Sequence, residues 1–569
     1  MELVILNQTY SEWQWLSNEK EILTLPYDLN PANLHLFHGD ILDEVTEEIV
    51  VPSAIRSEKN IPCVLDYKGN THGRCKNNNK PLYRCIPNDK SLPHFIVPFQ
   101  PKTTGFDKHK INKYVLIQFK EWPAEEKHPL ATLTHTLGDV DNYDAYTEYQ
   151  LYCKGLVVSL VEFNKQTSFL KNKHITKNIV DGICDQYPSI ENRTHINVFS
   201  IDPEGCTDVD DAISIVEHLD HTLISVYIAN VPLIIDYFNL WAYFTDKCST
   251  IYLPMHKLTM LPSILSDNIC SLLQDDLRFT FVMDIYIPKD TNKVNYKVTF
   301  KNALIKVTRN YVYEEADLLL DNDYQQLLKF TQHMSTHKIN DSHDVVEYFM
   351  ILMNEKCALE LVRQKCGILR SASIKMSLDK KETIPAEISG FINNWKYASG
   401  EYTTIDNKSP HHFIGYEVYT HITSPIRRLV DIVNMTLLQT KLGLLQFKNH
   451  ASVVEFCNKW SSETKVKYIN TTTKSIKKVQ NSCSLLALHL KNKDDKKIKK
   501  IKGYVFDREL LCGKKNTHKF KYNVYIPEYN MVTTFKTDLV LENYIKMLFT
   551  IHVFMEETCL KQKIRLQLN

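Results

Sequence analysis

Four carboxylates, Asp202, Asp208, Asp210 and Asp211, fall in one short stretch, Ser200-Ile-Asp-Pro-Glu-Gly-Cys-Thr-Asp-Val-Asp-Asp-Ala-Ile, between two apolar segments. Like charges a few ångströms apart oppose each other's ionisation, so a buried cluster of this kind is costly unless a cation compensates it. Hard oxygen donors suit Mg²⁺ or Mn²⁺, and no suitably spaced His or Cys favours zinc. The spacing is not that of an EF-hand loop. Taken alone, the block also describes a solvated strand edge. A second segment, Tyr419-Thr-His-Ile-Thr-Ser-Pro-Ile-Arg-Arg-Leu-Val-Asp, adds cationic chemistry. Ser424 and Pro425 predict an N-cap and first-turn proline, with Ile426, Leu429, Val430, Val433 and Leu437 as the buried stripe of a helix. Arg427 then lies in the first turn, where a guanidinium fork and backbone N–H groups suit a phosphate. Arg428 and Asp431 equally fit an ion pair of purely structural use.

These residues need elements to hold them. Ile196–Ile201, Ala212–Val216 and Leu223–Ala229 read as closely spaced buried strands around the acidic block. From Asp344 to Arg363, Val345, Val346, Phe349, Met350, Met353, Cys357 and Leu361 recur every three to four residues, which predicts an amphipathic helix. Upstream, from Leu34 to about Gly155, short apolar runs separated by Asn, Pro, Lys and Gly clusters predict small β-domains. Tyr114–Phe119 and Leu130–Thr134 form one predicted hairpin. Three prolines between Ser91 and Pro101 mark a boundary, since proline is confined to sheet edges and connections. Residues from about Ile501 onward return to strand-like text.

The whole chain has 569 residues, enough for about three to five domains. Hydrophobic residues make up 43% and charged residues 24%, which excludes wholesale disorder. With 68 Lys and Arg against 67 Asp and Glu, net charge offers no global attraction for a polyanion, so such a site must be local. One local excess exists: twelve Lys against two Asp between Lys465 and Lys502, densest from Lys491, fitting either a solvated helix end or a phosphate-binding rim. No GxxxxGK[ST] or GxGxxG loop is present. No apolar run reaches the roughly 18 to 20 residues of a membrane helix, and no export signal is read. The 14 cysteines contain no CxxC pair, which fits reduced thiols in a cytoplasmic compartment.

Together these segments resemble the RNB catalytic domain of the RNase II, RNase R and Dis3 family of exoribonucleases. The resemblance rests on the acidic block, Thr250-Ile-Tyr-Leu-Pro, Met260-Leu-Pro, Cys270-Ser-Leu, Tyr313-Glu-Glu, Val346-Glu347 through Asn354, and Thr423-Ser-Pro-Ile-Arg-Arg, all in the family's order. Trp122-Pro-Ala-Glu-Glu-Lys-His-Pro-Leu is similar to the second cold-shock barrel of Dis3-like members. The implied fold is multidomain α+β: a first cold-shock OB-fold within 1–92, a second in 93–185, an α/β RNB domain in 186–492 and a C-terminal OB-fold in 493–569. The implied activity is hydrolytic 3′ to 5′ degradation of single-stranded RNA with a free 3′ end, releasing 5′-mononucleotides. Asp202, Asp208, Asp210 and Asp211 match the family's Mg²⁺-binding quartet. Arg427 matches the arginine on the scissile phosphate, Tyr252 an aromatic that stacks on a base, and Tyr313 and Glu347 residues near the terminal ribose. His421 and Asn354 match positions read as supports.

The chain departs from relatives at Leu429, Asn434, Asn230 and Tyr348, where Tyr, His, Asp and Glu are frequent. Near Lys478 to Ser482 there is no counterpart of a supporting glutamate found in bacterial relatives. The region upstream of the first barrel is too short for a PIN endonuclease domain, so the expectation is a monomeric, free-standing exonuclease rather than an exosome subunit. Two other readings stand beside it: a catalytically silent RNA-binding or regulatory protein on the same fold, and a nuclease acting on single-stranded DNA.

Overall fold

The computed structural model describes the chain except residues 25–28, 102–109, 171–176, 290–295, 337, 373–383, 397–399, 408–416, 496–499, 512–518, 530, 557–560 and 569. The basic run from Lys491 to Lys502 falls partly outside the described residues. Two compact units divide it: Met1–Val157 with Ser475–Asn569, and Val158–Lys474. The division falls within one helix, Glu463–Asp495. No described helix is long and apolar enough to cross a membrane.

The first unit is built from β-structure. An open sheet uses strands Ile22–Leu23, Trp13–Leu16, Glu2–Ile5, Ile41–Leu42 and Ile49–Val51 in that order. It therefore begins at Glu2 rather than near Leu34. A closed barrel follows, ordered Leu130–Asp139, Phe95–Pro98, Leu82–Pro87, Ile61–Leu65 and Lys113–Glu121. The expected hairpin is present, with Leu130 opposite Glu121 and Asp139 opposite Lys113. The boundary expected at 92/93 cuts this barrel, because Leu82–Pro87 and Phe95–Pro98 are neighbouring strands. Pro98 ends its strand, a position where a missing N–H donor costs no ladder bond, so the proline cluster marks an internal connection. The barrel ends at Asp139, and helices Tyr143–Cys153, Val161–Gln166 and Lys177–Gln186 occupy much of what remains of 93–185. A five-stranded antiparallel sheet from Lys500 to Leu568 closes the chain.

The second unit centres on a six-stranded sheet ordered Glu191–Asn192, Lys297–Val312, Val198–Asp202, Asp211–Glu217, His221–Ala229 and Leu277–Pro288. Lys297–Val312 also pairs with Leu277–Pro288, so the sheet curls onto itself. Its strands are apolar on both faces. Phe199, Ile201, Ile213, Ile215, Val226 and Ile228 share one core, while Val198, Ala212, Tyr227 and Ala229 face the other, as a period of two requires. Helix Ser342–Arg363 covers the first core and begins where the Asp341 carboxylate accepts the Asp344 N–H. Helix Leu429–Lys441 is buried along most of its length.

Ser424 does not start that helix. Ser424 to Arg427 form a separate turn, Arg428 is extended, and the helix opens at Leu429. The reason is competition for the backbone: Thr250 N–H donates to the Arg427 carbonyl at 3.0 Å, and Leu429 N–H donates to the Cys248 carbonyl at 3.0 Å. A β-bridge between Ser249 and Arg428 thus holds the residues that the cap was expected to make helical.

Two departures carry packing roles. Asn434 donates to the Ile368 carbonyl, Thr420 Oγ1 and the His421 carbonyl, and accepts from Ile368 N–H. Asn230 caps helix Val231–Tyr237 and bonds Asn302 and Gln439. Both are buried amides with their needs met.

Candidate active site

The acidic loop is fixed at both ends by strands and in the middle by a serine. Asp202 ends Val198–Asp202 and Asp211 opens Asp211–Glu217. Between them, Cys206 N–H closes a turn on the Pro203 carbonyl, and Gly205 takes a φ of 75° that a side chain would strain. Ser271 Oγ accepts the Val209 N–H and donates to the Thr207 carbonyl, both at 2.9 Å. Asn310 reaches the Ser200 hydroxyl at 2.8 Å.

Two of the four carboxylates have both oxygens bonded by protein donors. Asp210, 2% exposed, accepts the Ile426 N–H on Oδ1 at 2.8 Å and Arg427 Nε on Oδ2 at 3.0 Å. Burial nevertheless pushes its pKa up to about 7, against the pull of Arg427 and the Ile426 N–H. Asp208 accepts Lys257 Nζ on Oδ1 at 2.7 Å and the Tyr252 hydroxyl on Oδ2 at 2.5 Å. The other two are not satisfied in this way. Asp202 has a buried Oδ2 without a hydrogen-bond partner, and burial raises its pKa to about 6. Asp211 is raised well above the carboxylate range, by burial first and then by the charges of Asp202 and Asp210.

Among the described residues, no three acidic, imidazole or thiol groups converge into a ready-made metal cluster. The donor chemistry still fits a hard divalent cation. All candidate donors are carboxylate oxygens, one of them is buried and orphaned, and the repulsion between Asp202 and Asp211 is what a cation would relieve.

Arg427 stands at the meeting point of the two segments. Nε bonds Asp210, while its second terminal nitrogen donates to Ser424 Oγ at 3.1 Å. Its side chain is 46% exposed, so the guanidinium keeps donors for a ligand. Arg428 and Asp431 do form the structural pair, at 2.8 Å, and Asp431 also accepts the Ser424 N–H at 2.7 Å. Asn354 braces the same segment by accepting the Ile422 N–H and donating to the Tyr419 hydroxyl, and His421 pairs with the Tyr402 hydroxyl.

The aromatic residues border the acids. Tyr252 ends a two-residue strand, is 40% exposed and engages Asp208. Tyr313 follows strand Lys297–Val312, and its N–H donates to the Asp202 carbonyl at 3.2 Å. Its hydroxyl pKa is raised by burial and then by Asp211 and Asp202. Its ring stacks on His343, with centroids 3.6 Å apart and planes at 16°. Glu347 lies one helical turn beyond His343 and touches none of the quartet. It remains accessible, although enough protein surrounds it, with Asp344 and Asp341, to raise its pKa.

Sequence reasoning did not single out Lys257, Asp267 or His343. Lys257 sits between two segments that were singled out, Thr250–Pro254 and Met260–Pro262, and a lone lysine facing carboxylates leaves no spacing signal. Its Nζ bonds Thr207 Oγ1 at 2.6 Å, Asp208 Oδ1 at 2.7 Å and Asp267 Oδ1 at 2.9 Å.

Comparison with known proteins bears on the same segments. Residues 190–337 and 371–443 match the RNB domain, and residues 82–152 match the Dis3-like cold-shock domain 2 (CSD2). The chain is 23% identical over 440 residues to the exosome complex exonuclease RRP44 of Mus musculus, covering 63% of this chain and 44% of that protein. The chain thus spans less than half the length of that relative. Its fold is similar to that of Mycoplasma genitalium RNase R, with a TM-score of 0.69, 15% identity and complete coverage of both chains. RNase R from that source has also been solved in complex with ribose-methylated single-stranded RNA. Yeast Ssd1, described as a pseudonuclease, aligns with a TM-score of 0.53 at 14% identity over 92% of this chain and 70% of its own.

Proposed function

We propose that this chain, which belongs to the RNB family, is a hydrolytic 3′ to 5′ exoribonuclease that degrades single-stranded RNA to 5′-mononucleotides with Mg²⁺. The observation that carries this reading is the junction at Asp210. There the acidic loop and a segment more than 200 residues further along the chain meet through Ile426 N–H and Arg427 Nε. An RNA phosphate bound beside Arg427 would lie next to the carboxylates.

The chain's own residues divide the work. Arg427 grips non-bridging phosphate oxygens and offsets charge that grows in the transition state. Asp202 and Asp211 supply oxygens for Mg²⁺, which when bound activates water and stabilises the departing 3′ oxygen. Tyr313 and Glu347 flank the terminal ribose, where the 2′-hydroxyl separates RNA from DNA. Tyr252 offers an exposed ring face to a base, a contact indifferent to sequence. The small β-domains of the first unit guide the strand as stacking and electrostatic surfaces. We assign the RNB domain to the stretch from about 186 and the C-terminal OB-fold to the sheet Lys500–Leu568, the boundary expected at 492/493 falling inside helix Glu463–Asp495.

A second reading, a silent RNA-binding protein, is favoured by the likeness to the pseudonuclease Ssd1. The intact quartet and its Arg427 partner count against it. The separating experiment uses a 5′-labelled single-stranded RNA, Mg²⁺, and wild type or Asp210→Asn. Stepwise shortening from the 3′ end by wild type alone is expected. Intact RNA bound by both proteins would establish the silent protein instead. The same strand made of deoxynucleotides should resist, and equal cleavage of it would move the assignment to a DNA nuclease.

A further inference from the structure

Lys257 is an ammonium in the middle of an acidic site, and its three donors match three oxygens: Thr207 Oγ1, Asp208 Oδ1 and Asp267 Oδ1, all within 2.9 Å. Two of those oxygens come from the acidic loop. The third comes from Leu265–Ile269, a wide π-type turn of the kind that gathers at functional sites. A hydroxyl and two carboxylates are also the donors that a hard divalent cation selects. The ammonium therefore sits where a cation would bridge Asp208 and Asp267.

The rest of the quartet is consistent with this placement. Asp208's other oxygen takes the Tyr252 hydroxyl, and both Asp210 oxygens are taken by Ile426 N–H and Arg427. Asp202 Oδ2 is the buried oxygen left without a partner. The two carboxylates of the quartet that no protein ammonium or guanidinium bonds are thus Asp202 and Asp211, and one divalent ion serving both would answer that need.

We infer that Lys257 is a built-in counter-ion occupying the place of a second divalent cation, so that the site holds one such ion, at Asp202 and Asp211. The inference deepens the nuclease reading and rests on it for the identity of the site. Lys257 is a positioning residue: it holds Asp208 and fixes the charge of that end of the site, without touching substrate. One fixed positive charge replaces two, and Tyr252 stays tied to the end of the site that Lys257 holds.

Cation stoichiometry tests this directly. Mn²⁺ would be titrated into RNA-free, full-length protein, with bound ion counted by calorimetry and by loss of the free-ion paramagnetic signal. Wild type should bind one Mn²⁺. Lys257→Met keeps the aliphatic stem and removes the ammonium, and should bind two, as should Lys257→Gln. Lys257→Arg should return the count to one. Circular dichroism shows which variants are folded, and either neutral variant suffices. Two ions in wild type, or one in a folded neutral variant, would overturn the assignment. A wild type that binds one Mn²⁺ and leaves RNA intact would instead sink the nuclease reading and leave the counter-ion role standing.

Discussion

Two aspartates in the same curled sheet are buried in opposite ways. Asp284, wholly inaccessible, receives Arg193 through two parallel bonds at 2.8 and 2.7 Å and the Ser225 hydroxyl at 2.7 Å. Asp202 ends its strand with one buried oxygen that nothing in the protein satisfies. A buried carboxylate with both oxygens bonded to a guanidinium reads as scaffold, since breaking its partners costs more than the pair itself contributes. A buried carboxylate left unanswered is held there at a cost in stability, which a proton or a bound cation can relieve. Burial therefore does not mark the candidate site in this unit, and an unmet oxygen alone does not either, since Asp431 Oδ2 is also buried without a partner. Asp202 is set apart by its mutual repulsion with Asp211.

The contrast is tested most severely at Asp202. Asp202→Asn should lower RNA hydrolysis on the order of 10³-fold, in line with the loss of one charge-stabilising group at a reacting centre. Its melting temperature should stay level or rise. Single-turnover cleavage beside a thermal melt reads both, and an active Asp202→Asn would break the contrast outright.

At the satisfied end the expectation reverses. Arg193→Met strands the Asp284 carboxylate in the core and should cost about 3 kcal/mol of unfolding free energy. Turnover per folded molecule should not change. Urea denaturation with activity measured on the folded fraction checks this, and a loss of turnover with no loss of stability would show that the pair belongs to the site.

What the sequence made legible follows the same division. The strands around the quartet, the helix from 342 and the approach of Arg427 all depended on patterns a few residues long: alternation, a three-to-four repeat, and carboxylates in one stretch. The start of the later helix was misplaced because Ser424 and Pro425 are good local signals, and their loss to the Ser249–Arg428 bridge is a tertiary event. The barrel was divided for a related reason. Proline clusters mark strand ends, and a closed barrel has strand ends inside it. Lys257 was invisible because its three partners come from two segments that nothing in its own neighbourhood announces.

Two of the buried carboxylates also set a pH dependence, one unmet and one bonded on both oxygens. Asp202 is raised to about 6 and Asp210 to about 7, mainly by burial, so the folded state holds these protons more tightly than the unfolded chain. Their contribution to stability is complete below about pH 4 and is lost as pH rises through 6 and then 7. In chelator, unfolding free energy should fall on the order of 2 kcal/mol between pH 4 and pH 8, after subtracting the Asp202→Asn profile. Saturating Mg²⁺ should flatten the upper part of the curve by binding the charged form. A flat difference profile in chelator would show that Asp202 is answered after all.

The smallest effect belongs to Tyr252, which takes part in both kinds of burial at once. Its hydroxyl answers Asp208, while its ring keeps an exposed face. Tyr252→Phe removes only the first, and Lys257 still answers the other Asp208 oxygen. The cost should be that of one hydrogen bond to a charged group with water able to replace it, about 1 kcal/mol in stability. RNA affinity should change by less than about threefold, because stacking uses the ring and not the hydroxyl. Tyr252→Ala, by contrast, should weaken single-strand binding by about 1 to 3 kcal/mol. Filter binding of a short single-stranded RNA to all three proteins separates the two contributions. If Phe and Ala weaken binding equally, the hydroxyl and not the ring meets the RNA, and Asp208 would then be answered only until substrate arrives.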